Sequence, residues 1–224
     1  MVEKKLKKGI FESENKYQKR LKAEEERKKK ENYEKKLAKY DSELNMIVEK
    51  RSSTRKNIYG YELSINRQLD RLKKNPGNKS TLAAVTRLLQ QLYAKKLLCE
   101  KYSDVLENKE AELKVGKREL LVSRGESVID NDLLEKFNEE IMGYDDVMNS
   151  LNETDFNLRT LFSEYENSSL LSGSLKEEIN EQVMASLSKV VPLKKDTNTT
   201  NTTNNTVSNV SSEEIQQILN SYNN

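Results

Sequence analysis

The side chains able to do chemistry in this 224-residue chain are carboxylates, lysines, arginines and one thiol, for histidine and tryptophan are absent. Asp145-Asp146 and Glu139-Glu140 are acid pairs of the kind that general acid–base hydrolysis uses, but only when a carboxyl is desolvated in a cleft. In a chain 34% charged and 34% hydrophobic, thin helical packing is expected instead, and both pairs read as a solvated acidic face. Cys99, the one cysteine, falls in an apolar stripe and reads as a small core residue rather than a nucleophile. No GxxxxGK[ST] or GxGxxG phosphate loop occurs, and a lone thiol without histidine is no zinc ligand set. The sequence therefore predicts no enzyme, no metal and no cofactor.

What is left is charge and amphipathic pattern. The net charge is +2, yet residues 1–125 carry 33 Lys/Arg against 19 Asp/Glu, a balance of +14, and residues 126–224 carry 6 against 18, a balance of −12. Such polarity predicts that the basic part meets an anionic surface while the acidic part competes for it or recruits something else. Nucleic acid is not the expected partner, because acidic residues interleave with the basic ones, aromatics are few and no recognition motif is present. A membrane fits better. Val2, Leu6 and Ile10 recur every fourth residue, with Phe11 beside them and Lys4, Lys5, Lys7 and Lys8 on the flanks, a small amphipathic patch. With Arg51, Arg55 and Lys56 these are the candidate membrane-binding residues, since each cation close to an anionic bilayer contributes about 1 kcal/mol. At the other end, Ser211 and Glu214 form a capping box for a short helix with Ile215, Ile218, Leu219 and Tyr222 on one side. That is the pattern of a peptide that lays its apolar face in a partner's groove.

The elements that must carry these groups are all helical. Residues 1–40 hold 15 basic and 8 acidic side chains with few apolar ones, and predict a solvated helical extension supported by i,i+4 pairs. Residues 41–115 predict a basic hairpin. Leu44, Ile47, Thr54, Ile58, Tyr61, Ile65, Leu69 and Leu72 line one helix, and Leu82, Val85, Leu89, Leu92, Cys99, Leu106 and Leu113 line the next. Between them Asn75-Pro76-Gly77-Asn78 breaks the chain, with Ser80 or Thr81 able to cap the second helix. Gly116 and Gly125 mark a hinge over 116–131. Residues 132–192 predict acidic regulatory helices, opened by Asp132 with Glu135 and again by Ser174 with Glu177, and closed by Pro192. The Asn/Thr-rich stretch 193–210 reads as a disordered linker, and 211–224 as the docking helix. The fold class is thus all-α: a long antiparallel hairpin, shorter acidic helices, and a disordered tail ending in a short helix. No apolar core suited to a secretory signal and no 18-residue apolar stretch occurs, so a cytoplasmic location is expected.

In the order of these parts the chain resembles the ESCRT-III family, the charged multivesicular body proteins. The local likeness runs from Ile58 to Leu113, including the Asn75-Pro76-Gly77-Asn78 loop, and through the acidic helix Asp132 to Leu151. In the tail, Ile215, Leu219 and Tyr222 fall at the leucine spacing of that family's MIT-interacting helix, with Ile218 where the usual arginine would stand. The resemblance implies a non-enzymatic membrane-remodelling subunit of endosomal sorting, vesicle budding and protein transport, peripheral on endosomal or other intracellular membranes. It implies a closed form, with acidic helices folded on the basic hairpin, and an open form that polymerises on the bilayer with its own or related subunits. An AAA ATPase whose MIT domain binds the tail would recycle it. The competing expectation is a coiled-coil scaffold or tether that does not polymerise.

Overall fold

A computed structural model describes residues 13–75, 78–123, 131–152, 156–165, 168–171, 174–191 and 212–223. They form six α-helices, α1 (Glu14–Lys74), α2 (Lys79–Val122), α3 (Asn131–Ser150), α4 (Leu158–Glu164), α5 (Leu175–Ser188) and α6 (Ser212–Asn223), and one 3-10 turn at Ser169–Leu171. There is no strand among the described residues. The all-α class is as the sequence predicts, with a long hairpin leading and shorter helices following. Residues Val2 to Phe11 of the amphipathic patch, and the 193–210 linker, lie outside the described residues.

The hairpin forms because both helices repeat their inward residues at alternating steps of three and four. On α1 these positions are Tyr40, Leu44, Ile47, Arg51, Thr54, Ile58, Tyr61, Ile65, Gln68 and Leu72; on α2, Val85, Leu89, Leu92, Lys96, Cys99, Leu106, Leu113 and Leu120 keep the same rhythm. That is the seam of a coiled coil. Asn78 ends the turn and caps α2, its side-chain oxygen accepting from Thr81 N at 3.0 Å. The cap therefore precedes Ser80 and Thr81.

Two compact units are present: Met1–Glu49 with Glu107–Glu135, and Lys50–Leu106 with Lys136–Asn224. In the first, Tyr40 is buried against Gly116, where an added Cβ would lie 2.8 Å from the phenol oxygen, and Lys117 pairs with Asp41. Gly116 thus serves close helix approach, and α2 runs through it to Val122 instead of ending at the expected hinge. α1 likewise passes residue 40 without a break.

In the second unit α2 is covered on two sides. Its seam faces α1, where Lys96 meets Glu62 at 3.7 Å. On one flank of that seam Leu82, Gln90, Tyr93 and Leu97 are buried, with Gln90 and Tyr93 meeting α5 and α6, and on the other flank Tyr102 is buried and meets α3. This explains why apolar residues spread so far round α2, since a helix packed on both flanks shows no narrow stripe. α4 is capped by Asn157, whose side chain accepts from Arg159 N at 2.9 Å. Ser174 precedes α5 without a side-chain cap bond to the backbone and donates instead to Glu178 at 3.0 Å.

Candidate functional site

The acidic helices meet the basic hairpin within the second unit at three joints, each built around a side chain of α2. At the first, Tyr102 is 3% exposed and donates to Asp145 Oδ1 at 2.6 Å. The other oxygen of that carboxylate takes Lys50 Nζ of α1 at 2.5 Å. One α3 carboxylate therefore ties together both arms of the hairpin. Burial raises the Tyr102 phenol above the usual tyrosine range, and the Asp145 hydrogen bond and charge add to the rise, so at neutral pH it is a firm donor. Its ring stands edge-on to Tyr144 of α3, centroids 6.3 Å apart, a favoured aromatic arrangement.

Just beyond α3, Lys95 Nζ donates to Leu151 O and lies 4.3 Å from the ring centre of Phe156. A cation there satisfies a carbonyl at the end of the helix and complements its dipole. Burial depresses the Lys95 ammonium pKa.

The second joint seats α5. Tyr93 OH and Ser186 Oγ are 2.5 Å apart, Gln90 Nε2 donates to Asn180 Oδ1 at 3.2 Å, and Lys101 pairs with Glu178 at 3.5 Å. At the third, Gln90 Nε2 also approaches Leu219 O of α6 at 3.5 Å, and Lys79 pairs with Glu214 at 2.9 Å. In each ion pair the cation belongs to the hairpin and the carboxylate to a later helix. Individually such pairs contribute little, about 0–1 kcal/mol each; their common direction is what distinguishes them.

The acid pairs do not share an environment. Asp145 turns to the hairpin while Asp146 and Glu139 are exposed. Among the described residues no group of three or more His, Cys, Asp or Glu side chains is placed to hold a metal ion. Cys99 is fully buried, and burial, with the Glu100 charge second, pushes its thiol up to about 12, which keeps it protonated and unreactive.

The sequence-predicted site residues are not all brought together. Arg55 and Lys56 are exposed on α1, but Arg51 is half-buried and already partnered, because the three-four spacing puts it on the seam between Ile47 and Thr54. Exposed with Lys56 on the outer side of α1 are Tyr59, at 62%, and Leu63, at 40%, followed at helical spacing by Arg67, Arg71 and Lys74. The signal for this cationic, partly apolar face was the four-residue step from Tyr59 to Leu63, half a turn away from the seam. In α6, Ile215 and Leu219 are 0% exposed and Ile218 half-buried. Tyr222 belongs to the helix, but its side chain lies outside the described residues. No helix among the described residues is long and apolar enough to cross a membrane.

Compared with protein-family models, with curated proteins and with solved structures, the chain matches none.

Proposed function

We propose that this chain is a non-enzymatic, ESCRT-III-like membrane-remodelling subunit in its closed state. The hairpin is the membrane-facing and polymerising body, and α3, α5 and α6 are a restraining arm. The single observation that carries the reading is the polarity of the joints: Lys50–Asp145, Lys101–Glu178 and Lys79–Glu214 all place a late carboxylate on a hairpin lysine. A segment of balance −12 competes with an anionic bilayer for the cations of one of balance +14, and opening the arm frees them. The outer face of α1, with Lys56, Arg67, Arg71 and Lys74 around Tyr59 and Leu63, suits the headgroup layer, where cations meet phosphate and an aromatic ring sits at the interface. In this reading the N-terminal patch from Val2 to Phe11 adds an apolar anchor, related subunits extend the polymer, and α6, once free, recruits a disassembling AAA ATPase through its MIT domain. The protein acts as a peripheral component of endosomal or other intracellular membranes.

The test is sedimentation with vesicles containing phosphatidylserine, comparing the wild type with Tyr144→Ser/Val147→Ser, which unseats α3 without changing charge. The variant is expected to bind more tightly, and both proteins to lose binding as salt rises. Equal binding by the two would overturn autoinhibition, and equal binding to uncharged vesicles would overturn the electrostatic reading. The coiled-coil seam also favours a second reading, a scaffold or tether that never polymerises. Such a protein would remain a small discrete oligomer on the same vesicles.

A further inference from the structure

Three glycines stand inside the described helices, and contacts within the chain account for one of them. A glycine in a helix interior is destabilising relative to alanine, so each needs a reason. Gly116 has one in the Tyr40 ring pressed against it, but a Cβ added at Gly60 of α1 or at Gly143 of α3 would meet nothing within 4 Å. Both belong to the second unit, and both sit beside large apolar side chains left in solvent. Next to Gly60 are Tyr59 and Leu63; next to Gly143 is Met142, 66% exposed. The charges around the two glycines are opposite in sign. Lys56 and Arg67, one turn before and two turns after Gly60, are exposed, and so are Glu139 and Asp146, a turn to either side of Gly143. None of these four takes part in the ion pairs that join the late helices to the hairpin, and Asp70, farther along the same face of α1, is taken by Lys73.

We propose that these two faces are the halves of one contact between copies of this chain: the outer face of α1 in one closed molecule receives the outer face of α3 from a second, the helices crossing at Gly60 and Gly143. Glycine at a crossing lets two helix axes approach to about 8 Å. Met142 then lies between Tyr59 and Leu63, and Glu139 and Asp146 come within reach of Lys56 and Arg67. An anionic bilayer would match the cations of α1, but it has no use for a glycine there and repels the acidic face of α3; a second copy uses both faces and both glycines. The contact is heterologous, head to tail, so each molecule keeps one α1 face and one α3 face for its neighbours. With three apolar side chains and four charges at its centre it is small, hence weak and salt-sensitive. It differs from a polymer of opened chains because it needs α3 in its seat. It stands independently of lipid, and where the membrane reading holds, each closed copy covers its neighbour's lipid-facing side.

The experiment is sedimentation velocity of the full chain without lipid, from about 10 μM to about 1 mM. The average mass is expected to climb with concentration, and added salt to weaken the association about tenfold. Gly60→Leu and Gly143→Leu each put bulk at the crossing while improving local helix propensity, so both are expected to melt no lower than the wild type and to stay monomeric alone. Mixed one to one they regain a single intact contact, between the α1 face of the Gly143→Leu chain and the α3 face of the Gly60→Leu chain, and are expected to stop at a dimer. A wild type that stays monomeric over the whole range, a variant that associates alone as the wild type does, or a mixture that remains monomeric would each overturn the contact. So would a Gly60→Leu chain that self-associates normally and loses only vesicle binding, which would give the α1 face to lipid. None of these outcomes touches the hold of the late helices on the hairpin, and failed vesicle binding by the wild type would leave the contact standing.

Discussion

Asp145→Ala is the sharpest test of the joint between α3 and the hairpin. The substitution deprives Tyr102 OH of its acceptor in a site where the residue is 3% exposed, and a buried donor left unpaired costs about 1–3 kcal/mol. It also dissolves the ion pair with Lys50, whose side chain is 26% exposed against 29% for Asp145, worth up to about 1 kcal/mol at such a half-open position. Alanine returns about 0.5 kcal/mol through its better helix propensity. The expected net loss is about 0.5–3.5 kcal/mol, read by urea unfolding followed by circular dichroism. A double-mutant cycle isolates the cause. Tyr102→Phe in the wild type removes one hydrogen bond to a charged group and costs about 1.5–3 kcal/mol, whereas in the Asp145→Ala background it removes an orphaned hydroxyl and should cost nothing or stabilise. A loss under about 0.5 kcal/mol for Asp145→Ala, or an identical cost of Tyr102→Phe in both backgrounds, would refute the coupling.

Gly116→Ala should destabilise by about 1–2 kcal/mol despite alanine's helix preference, because its Cβ would press on the Tyr40 phenol at 2.8 Å. Tyr40→Phe, which deletes a buried hydroxyl without a partner, should be neutral or stabilising alone and should recover part of the Gly116→Ala loss in thermal melts, the ring carbons at 3.1 and 3.2 Å remaining close. On the alkaline side, burial holds the Cys99 thiol and the Tyr61 phenol up to about 12, from ordinary values of 9.0 and 10.0, and raises Tyr40 and Tyr102 as well. The unfolded chain gives up these protons first, so the stability they represent is complete below about pH 9 and drains away towards pH 12, at up to about 1.4 kcal/mol per group per pH unit. Urea midpoints that do not fall over that range would contradict the burial of these groups.

The hairpin was readable because its information is local: steps of three and four along each helix, and Asn-Pro-Gly-Asn between them, leave one topology open. Arg51 was also legible, since the same spacing that selects Ile47 and Thr54 places it on the seam, although residue type alone suggested a lipid contact. Asp145 was not. It lies 43 residues from Tyr102 among acidic neighbours of equal charge, and which carboxylate turns inward depends on the placement of α3 on α2. Gly116 shows the same dependence, for a glycine reads as a hinge until the ring packed against it is known. The two faces of α2 were visible only as an unusually broad scatter of leucines, which periodicity cannot divide between two sets of neighbours.

That double covering of α2 has a consequence for synthesis. The seam is complete once α2 follows α1 off the ribosome, but the flank carrying Gln90 and Tyr93 waits for partners as late as Leu219 and Ser186. At about 5–20 residues per second, the nascent chain carries a bare apolar flank for several seconds, up to roughly half a minute, before its own C-terminal helices exist to cover it. During that interval the newborn hairpin is a client for chaperones, and unfinished chains on one polysome can find each other before they find themselves.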